Sequence, residues 1–209
     1  EMVKEIRDKE GNKIKLYYDE SDNLVKKEIN EEKVIYYIGN YELERDKRED
    51  KTTMRHLIRV DKRVVAVHEK SLINNKKQLD KTVYIHMDMQ NSTTLITDNK
   101  ARVVSRIEYD SFGRKIKDTR EIDSIDTQKI RGYTNHRNME ETDLIDMQAR
   151  LYDPNIARFI STDSIIPDED NIRAYNRYAY VYNNPVNYID PDGHNPFAIF
   201  AIGAAIFSI

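Results

Sequence analysis

Hydrophobic and polar residues alternate in short stretches through the first half of the chain. KIKLYY at 13–18, LVKKEI at 24–29, KVIYYIG at 33–39 and MRHLIRV at 54–60 each place apolar side chains on one face. A period of two is the mark of a half-buried strand. RVVAVH at 63–68, KTVYIHM at 81–87, TTLIT at 93–97 and VVSRIEY at 103–109 continue the series. Polar clusters such as DESDN at 19–23 separate the strands. Asx-rich breaks at this spacing predict consecutive hairpins in an all-β architecture. Alternation alone leaves sandwich, barrel and solenoid open. Segments 42–53 and 69–81 are dense in charge and are expected to be exposed loops.

The second half is less regular. LIDMQARLY at 144–152 alternates and predicts a strand that stops at Asp153-Pro154, because proline cannot donate to a ladder. RFIS at 158–161 predicts another. Tyr175, Tyr178 and Tyr182, three and four apart, predict one face of a helix over 172–182. Pro185 would end it after Asn183-Asn184. Asp190-Pro191-Asp192-Gly193 reads as a tight turn. Beyond His194-Asn195-Pro196 come thirteen uncharged residues, FAIFAIGAAIFSI. They fall short of the roughly 18–20 that span a bilayer, and are expected to be part of a longer segment.

Composition narrows the chemistry. Lys and Arg number 34 against 37 Asp and Glu, a net charge of −3, so no basic excess points to nucleic acid. With no cysteine, disulfide frameworks and thiolate metal sites are excluded. The five histidines at 56, 68, 86, 136 and 194 show no metal-ligand spacing, and no phosphate loop or nucleophile elbow is present, so no cofactor is expected. Fourteen tyrosines beside five phenylalanines and no tryptophan fit sheets with one wet face. The opening Glu-Met-Val reads as mid-repeat, as in a piece of a longer chain.

An internal repeat bears on the architecture. GNKIKLYYDESDNLVKK from Gly11 and SRIEYDSFGRKIKD from Ser105 share one form: a strand, Tyr-Asp, two residues, a turn residue, then a basic-aliphatic strand. The aspartate is expected to cap the turn, and Gly113, or Asn23 in the first copy, to take the left-handed position. The second copy, with Tyr109, Asp110, Gly113 and Arg114, resembles the YD repeat of Rhs proteins, teneurins and toxin-complex C subunits. YIHMDMQNSTTLITD at 84–98 is similar to a further block of that family, with Asn91 where the family has Gly. The string 131–164, including Arg150, Tyr152, Asp153, Pro154 and Arg158, resembles the family's repeat-associated core. So does NRYAYVYNNPVNYIDPDGH at 176–194, with Pro185, Pro191 and Gly193. Asn135, Asp143, Ala149 and Ala157 stand where the family favours Gly.

The resemblance implies a mainly β fold: a strip of YD hairpins belonging to a hollow shell over 1–125, and a small α+β core module over 126–194. A variable payload would begin in 195–209. It implies a secreted or cell-surface protein whose partners are its own N-terminal shell and a C-terminal toxin, with an immunity protein for that toxin. The apolar tail is expected either to contact a membrane during translocation or to plug the inside of the shell. It also implies self-cleavage near His194 and Asn195 by an aspartic dyad, Asp163 and Asp190, with Arg150 as a third polar participant. In such a dyad the ionised carboxylate takes a proton from water and the neutral one donates to the scissile carbonyl. One departure bears on activity: Asp163 is followed by Ser164-Ile165-Ile166, without the Pro and Gly that frame the family's aspartate. The competing expectation is a non-enzymatic cap or surface module built from the same residues.

Overall fold

The computed structural model describes residues 2–7, 11–122, 125–164, 166 and 170–198. A 12-stranded antiparallel sheet holds most of them. Its strands are β1 (Glu5–Arg7), β2 (Lys13–Tyr18), β3 (Leu24–Ile29), β4 (Lys33–Ile38), β5 (Tyr41–Asp46) and β6 (Lys51–Val60). They continue with β7 (Arg63–Ile73), β8 (Lys76–Lys77), β9 (Lys81–Met87), β10 (Thr93–Asp98), β11 (Val103–Tyr109) and β12 (Lys115–Arg120). Spatial order follows chain order, with only the short β8 set aside as a branch on β7. Apart from that branch, each strand pairs with the next in sequence, as a hairpin series demands.

The turns explain the repeat. Asp19 Oδ1 accepts from the backbone N–H of Ser21 and Asn23, both at 2.9 Å. Asp88, Asp98 and Asp110 each do the same with the residues two and four further on. Four copies of one Asx-capped turn thus exist where two were visible. The third residue after each aspartate is left-handed: Asp22 (φ 59°), Asn91 (64°), Ala101 (59°) and Gly113 (87°). Asp22, and not Asn23, is the counterpart of Gly113. Glycine is required at 113 for a second reason, since a Cβ there would lie 2.5 Å from the Tyr133 ring.

Segments 42–53 and 69–81 are not simply exposed loops. Their charges enter β5, β6 and β7, and Glu42, Glu44 and Glu69 are buried, as is Arg55 of β6. Arg55 donates from Nη2 to Glu44 at 2.8 Å and from Nε to Glu69 at 3.0 Å, while Lys129 Nζ reaches Glu44 at 2.6 Å. Burial opposes the charge on Glu44, but Arg55 and Lys129 outweigh it and hold the carboxyl down at about 2. These stretches are strands whose covered face carries ion pairs in place of apolar residues.

That face is covered by the chain after β12. Ile125 and Ile130 join Leu57, Val67, Val83, Ile96 and Val104 in one apolar cluster. Met139 and Leu151 join Ile14, Leu16, Leu24 and Ile29 in another. The covering segment carries a small antiparallel sheet of β13 (Arg137–Met139), β14 (Leu144–Asp146), β15 (Leu151–Asp153) and β16 (Arg158–Phe159). A last pair follows, β17 (Tyr188–Ile189) with β18 (Phe197–Ala198). The single strand expected over 144–152 is instead a hairpin, β14 and β15 joined by a loop at 147–150. The helix expected over 172–182 is replaced by 3₁₀ turns at Ile172–Tyr175 and Val181–Asn183. Tyr175 and Tyr178 are exposed; Tyr180 is the buried tyrosine, packed on Tyr133, Tyr152 and Phe159. No α-helix occurs among the described residues, so the helical part of the expected core is 3₁₀ only.

Three of the four positions where the family favours Gly are left-handed: Asn135 (φ 63°), Asp143 (57°) and Ala157 (58°). At the fourth the strain sits one residue earlier, on Gln148 (72°). Alanine has no polar group to offset a left-handed backbone. Ala101→Gly and Ala157→Gly are each expected to stabilise the protein by about 0.5–1 kcal/mol, read as a higher urea midpoint at unchanged slope.

Candidate active site

The loop at 147–150 clasps the turn at 190–193. Ala149 N–H donates to Asp192 O at 3.2 Å and Gln148 Nε2 to Pro191 O at 2.9 Å. Gly193 (φ 84°) presses so closely on this loop that a Cβ would meet Met147 O at 2.4 Å. This docking brings Arg150 into the turn. Its Nε donates to Gly193 O at 2.5 Å, its Nη1 to Arg177 O at 3.1 Å, and its guanidinium carbon lies 3.6 Å from the Phe159 ring centroid.

Arg150, Asp163 and Asp190 converge, although 13 and 40 positions separate the aspartates from the arginine in sequence. Arg150 Nη2 lies 2.8 Å from Asp163 Oδ2 and 3.6 Å from Asp190 Oδ2. All three side chains are buried. Asp163 is held further by its backbone, since its N–H donates to Arg177 O at 3.1 Å and its carbonyl accepts from Arg177 Nη2. His194 Nδ1 lies 2.8 Å from Asp163 Oδ1. Asp190 Oδ1 accepts from Gly193 N–H at 2.8 Å and His194 N–H at 3.1 Å. Asp192 Oδ1 accepts from His194 N–H and Asn195 N–H, both at 3.0 Å.

Electrostatics separate the carboxyls. Burial, then a hydrogen bond with Asp192, pushes Asp190 up to about 7 against the pull of Arg150. Burial opposes the charge on Asp192 too, yet the N–H groups of His194 and Asn195 outweigh it and hold that carboxyl below its ordinary value. A cavity of about 20 Å³ lies between Arg150, Asp163, Arg177, Tyr182, Asp190 and His194. It has room for about one water.

Three participants were not foreseen. Buried His136 bonds through Nε2 to Asp190 O at 2.8 Å, and burial lowers it to about 4, so it is the neutral donor that seats the Asp190 backbone. Arg177 secures Asp163, and Asp192 caps the segment after the turn. A lone His and an Arg in an irregular stretch carry no local signal, whereas two aspartates one residue apart before Gly could have suggested overlapping caps.

The remaining motif residues tie this site to the sheet. Tyr133 and Tyr152 donate from their hydroxyls to Ser111 O and Phe112 O, both at 2.7 Å, which fastens the core to the YD turn. Tyr109 packs on Tyr133, and Arg114 Nε pairs with Asp110 at 3.1 Å. Gln90 donates to Pro185 O at 2.5 Å. Asp153 caps the turn through Asn155 N–H and pairs in register with Arg158 across β15 and β16; Pro154 lies in that turn. His86 meets Thr97 at 3.0 Å while Asp88 caps its own turn, and no metal-binding cluster occurs among the described residues. Ile165, residues 167–169 and the tail from 199 to 209 lie outside the described residues. No described helix is long and apolar enough to cross a membrane.

Comparisons agree with this architecture. The tRNA3(Ser)-specific nuclease WapA of Bacillus spizizenii is 27% identical over 196 residues, 91% of this chain and 8% of that protein. The tRNA nuclease WapA of Bacillus subtilis is 31% identical over 127 residues, 61% of this chain and 5% of that one. The crystal structure of TcdB2-TccC3-Cdc42 superposes with a TM-score of 0.74 at 20% identity, over 96% of this chain and 10% of that one. This chain therefore spans less than a tenth of the curated relatives it matches. Residues 2–186 match the family described as Teneurin YD-shell. With its capped YD turns in chain order and its core docked on them, the chain belongs to the Rhs/YD-repeat proteins that share the teneurin-type YD shell.

Proposed function

We propose that the chain closes the shell of a secreted Rhs-type toxin and cuts itself near His194 and Asn195 to free a C-terminal payload. In this reading residues 1–125 form the shell strip, 126–194 the closing and processing module, and the tail opens the payload. Its partners are the preceding shell and the payload, with an immunity protein for the toxin outside this chain. The observation that carries the reading is the convergence of Arg150, Asp163 and Asp190 around a one-water cavity that His194 and Pro196 also line. Below pH 7 Asp190 is the neutral carboxyl, while Asp163 lies 2.8 Å from the Arg150 guanidinium. Asp163 takes a proton from water, the water oxygen bonds to the carbonyl carbon, and Asp190 supplies the proton for the departing amine.

The test is the whole chain followed after Ile209 by a stable folded reporter, incubated from pH 4 to 9 and read by mass spectrometry. A reporter fragment beginning near Asn195, absent in Asp163→Asn, is expected. A chain intact at every pH with native circular dichroism would sink the reading. One observation favours a purely capping role instead: Arg150 and His194 already occupy both oxygens of Asp163, as in a structural lock. An intact chain would then be the normal state.

A further inference from the structure

The self-cleavage just proposed leaves one carboxylate unused, although it is the one nearest the departing nitrogen. Asp192 Oδ1 lies 3.0 Å from Asn195 N and 3.0 Å from His194 N. Asp190 Oδ1 accepts from that same His194 N–H at 3.1 Å. One N–H thus has an oxygen of each carboxylate on it, which brings Asp190 and Asp192 together at the backbone of the cleavage segment. Asp163 is occupied by Arg150 and the His194 ring.

We propose that Asp192 is a further catalytic residue of the self-cleavage, relaying the proton of Asp190 to the departing nitrogen of Asn195. The inference rests on the self-cleavage reading. In the step, water oxygen bonds to the His194 carbonyl carbon and Asp163 receives one water proton. The His194–Asn195 C–N bond breaks. As it breaks, Asp190 hands its proton to the Asp192 carboxylate, which passes it on to Asn195 N; Asp163 ends protonated and Asp190 ionised, the products are a carboxyl and an amine, and one water is consumed. The relay fits the electrostatics, because burial and then the hydrogen bond with Asp192 raise Asp190, while against its burial Asp192 is lowered by the N–H groups of His194 and Asn195 and the bond with Asp190. A pair whose environments push two carboxyls apart in this way has an acid and an acceptor already assigned.

Several other charged groups face the pair. Arg150 comes from the loop before β15, Asp163 from the stretch after β16, Arg177 from the turn beside it, His136 from below the Asp190 carbonyl, and His194 from the segment itself. Only Asp192 contacts both Asp190 and the Asn195 nitrogen among these.

Asp192→Asn keeps an oxygen to cap both N–H groups but cannot carry the proton. In the reporter fusion it is expected to slow cleavage at least tenfold, with an unchanged melting temperature, and to move the alkaline fall of the rate about one pH unit lower. Carbonyl ¹³C titration of Asp190 in the uncut Asp163→Asn background should show the same downward move when Asp192→Asn is added. Wild-type rate, pH profile and Asp190 titration in Asp192→Asn would overturn the relay alone. Cleavage that survives both Asp163→Asn and Asp190→Asn, or a wild-type chain that is never cut, overturns the self-cleavage reading and the relay with it.

Discussion

Asp190→Asn is expected to abolish cleavage and at the same time to make the protein more stable at pH 8. The first effect follows from losing the only carboxyl of the site that is raised to about 7. The second follows from linkage. Asp190 binds its proton more tightly folded than unfolded, where a carboxyl of this type titrates near 3.8. Its favourable contribution is therefore complete below about pH 4 and is lost as the pH rises through 7. Asparagine behaves as a permanently neutral Asp190 that still accepts from Gly193 and His194. The gain at pH 8 is on the order of a few kcal/mol, fading to nothing near pH 4.

The shape of the whole curve tests this more sharply than one value. Glu140, pushed up to about 7 by burial, also gains stability as the pH falls from 7 toward 4.5. His136, buried neutral and lowered from 6.5 to about 4, works in the opposite sense: its unfolded form takes up the proton first, so stability drops as the pH falls through that window. The wild type has two gains against one loss and should strengthen on mild acidification. In Asp190→Asn one gain and one loss remain, so chemical denaturation between pH 7 and 4.5 should give a nearly flat profile. A variant profile parallel to that of the wild type would remove Asp190 as a buried, proton-holding carboxyl.

How much of this was legible beforehand depends on the range of the interactions involved. The hairpin series was readable because Ile14, Leu16, Val83 and Ile96 repeat at a period set by the backbone itself. Two of the four capped turns, at Asp88 and Asp98, escaped notice because Met87 and Thr97 stand where the repeat has Tyr. Segments 42–53 and 69–81 differ from the loops expected there because Glu44 and Glu69 look solvated until Arg55 and Lys129 are brought to them by folding. The tyrosines of 175–182 satisfy a helical spacing, yet the bridge of Ala179 to Arg158 pins that stretch to β16 and turns Tyr180 inward. Arg150, Asp163 and Asp190 came from resemblance alone, since nothing local joins positions so far apart. Asp192 and His136 act through backbone atoms, which side-chain identity does not announce.

Arg150→Ala is expected to be the most destabilising single change at the site, by about 3–5 kcal/mol. The side chain is 5% exposed, and Asp163, Asp190, the Gly193 and Arg177 carbonyls and the Phe159 ring all meet it. Its loss strips Asp163 of its closest cation, leaves the carbonyls of Gly193 and Arg177 without this donor, and opens a gap over Phe159. Lysine cannot restore the arrangement, because one ammonium cannot replace a planar fork that bonds in three directions and stacks on a ring. Arg150→Lys should therefore recover less than half of the loss. The dominant penalty is the charge left on buried Asp163, so adding Asp163→Asn to Arg150→Ala should recover more than about 1 kcal/mol as a coupling energy. The damage should begin at the turn, with hydrogen exchange rising over 190–195 and 147–150 before the 12-stranded sheet responds. Urea denaturation of the four proteins in the cycle measures the coupling directly. An Arg150→Ala protein within 0.5 kcal/mol of the wild type, or a coupling near zero, would mean that Asp163 finds its countercharge elsewhere and that Arg150 is not what holds the 190–193 turn against its loop.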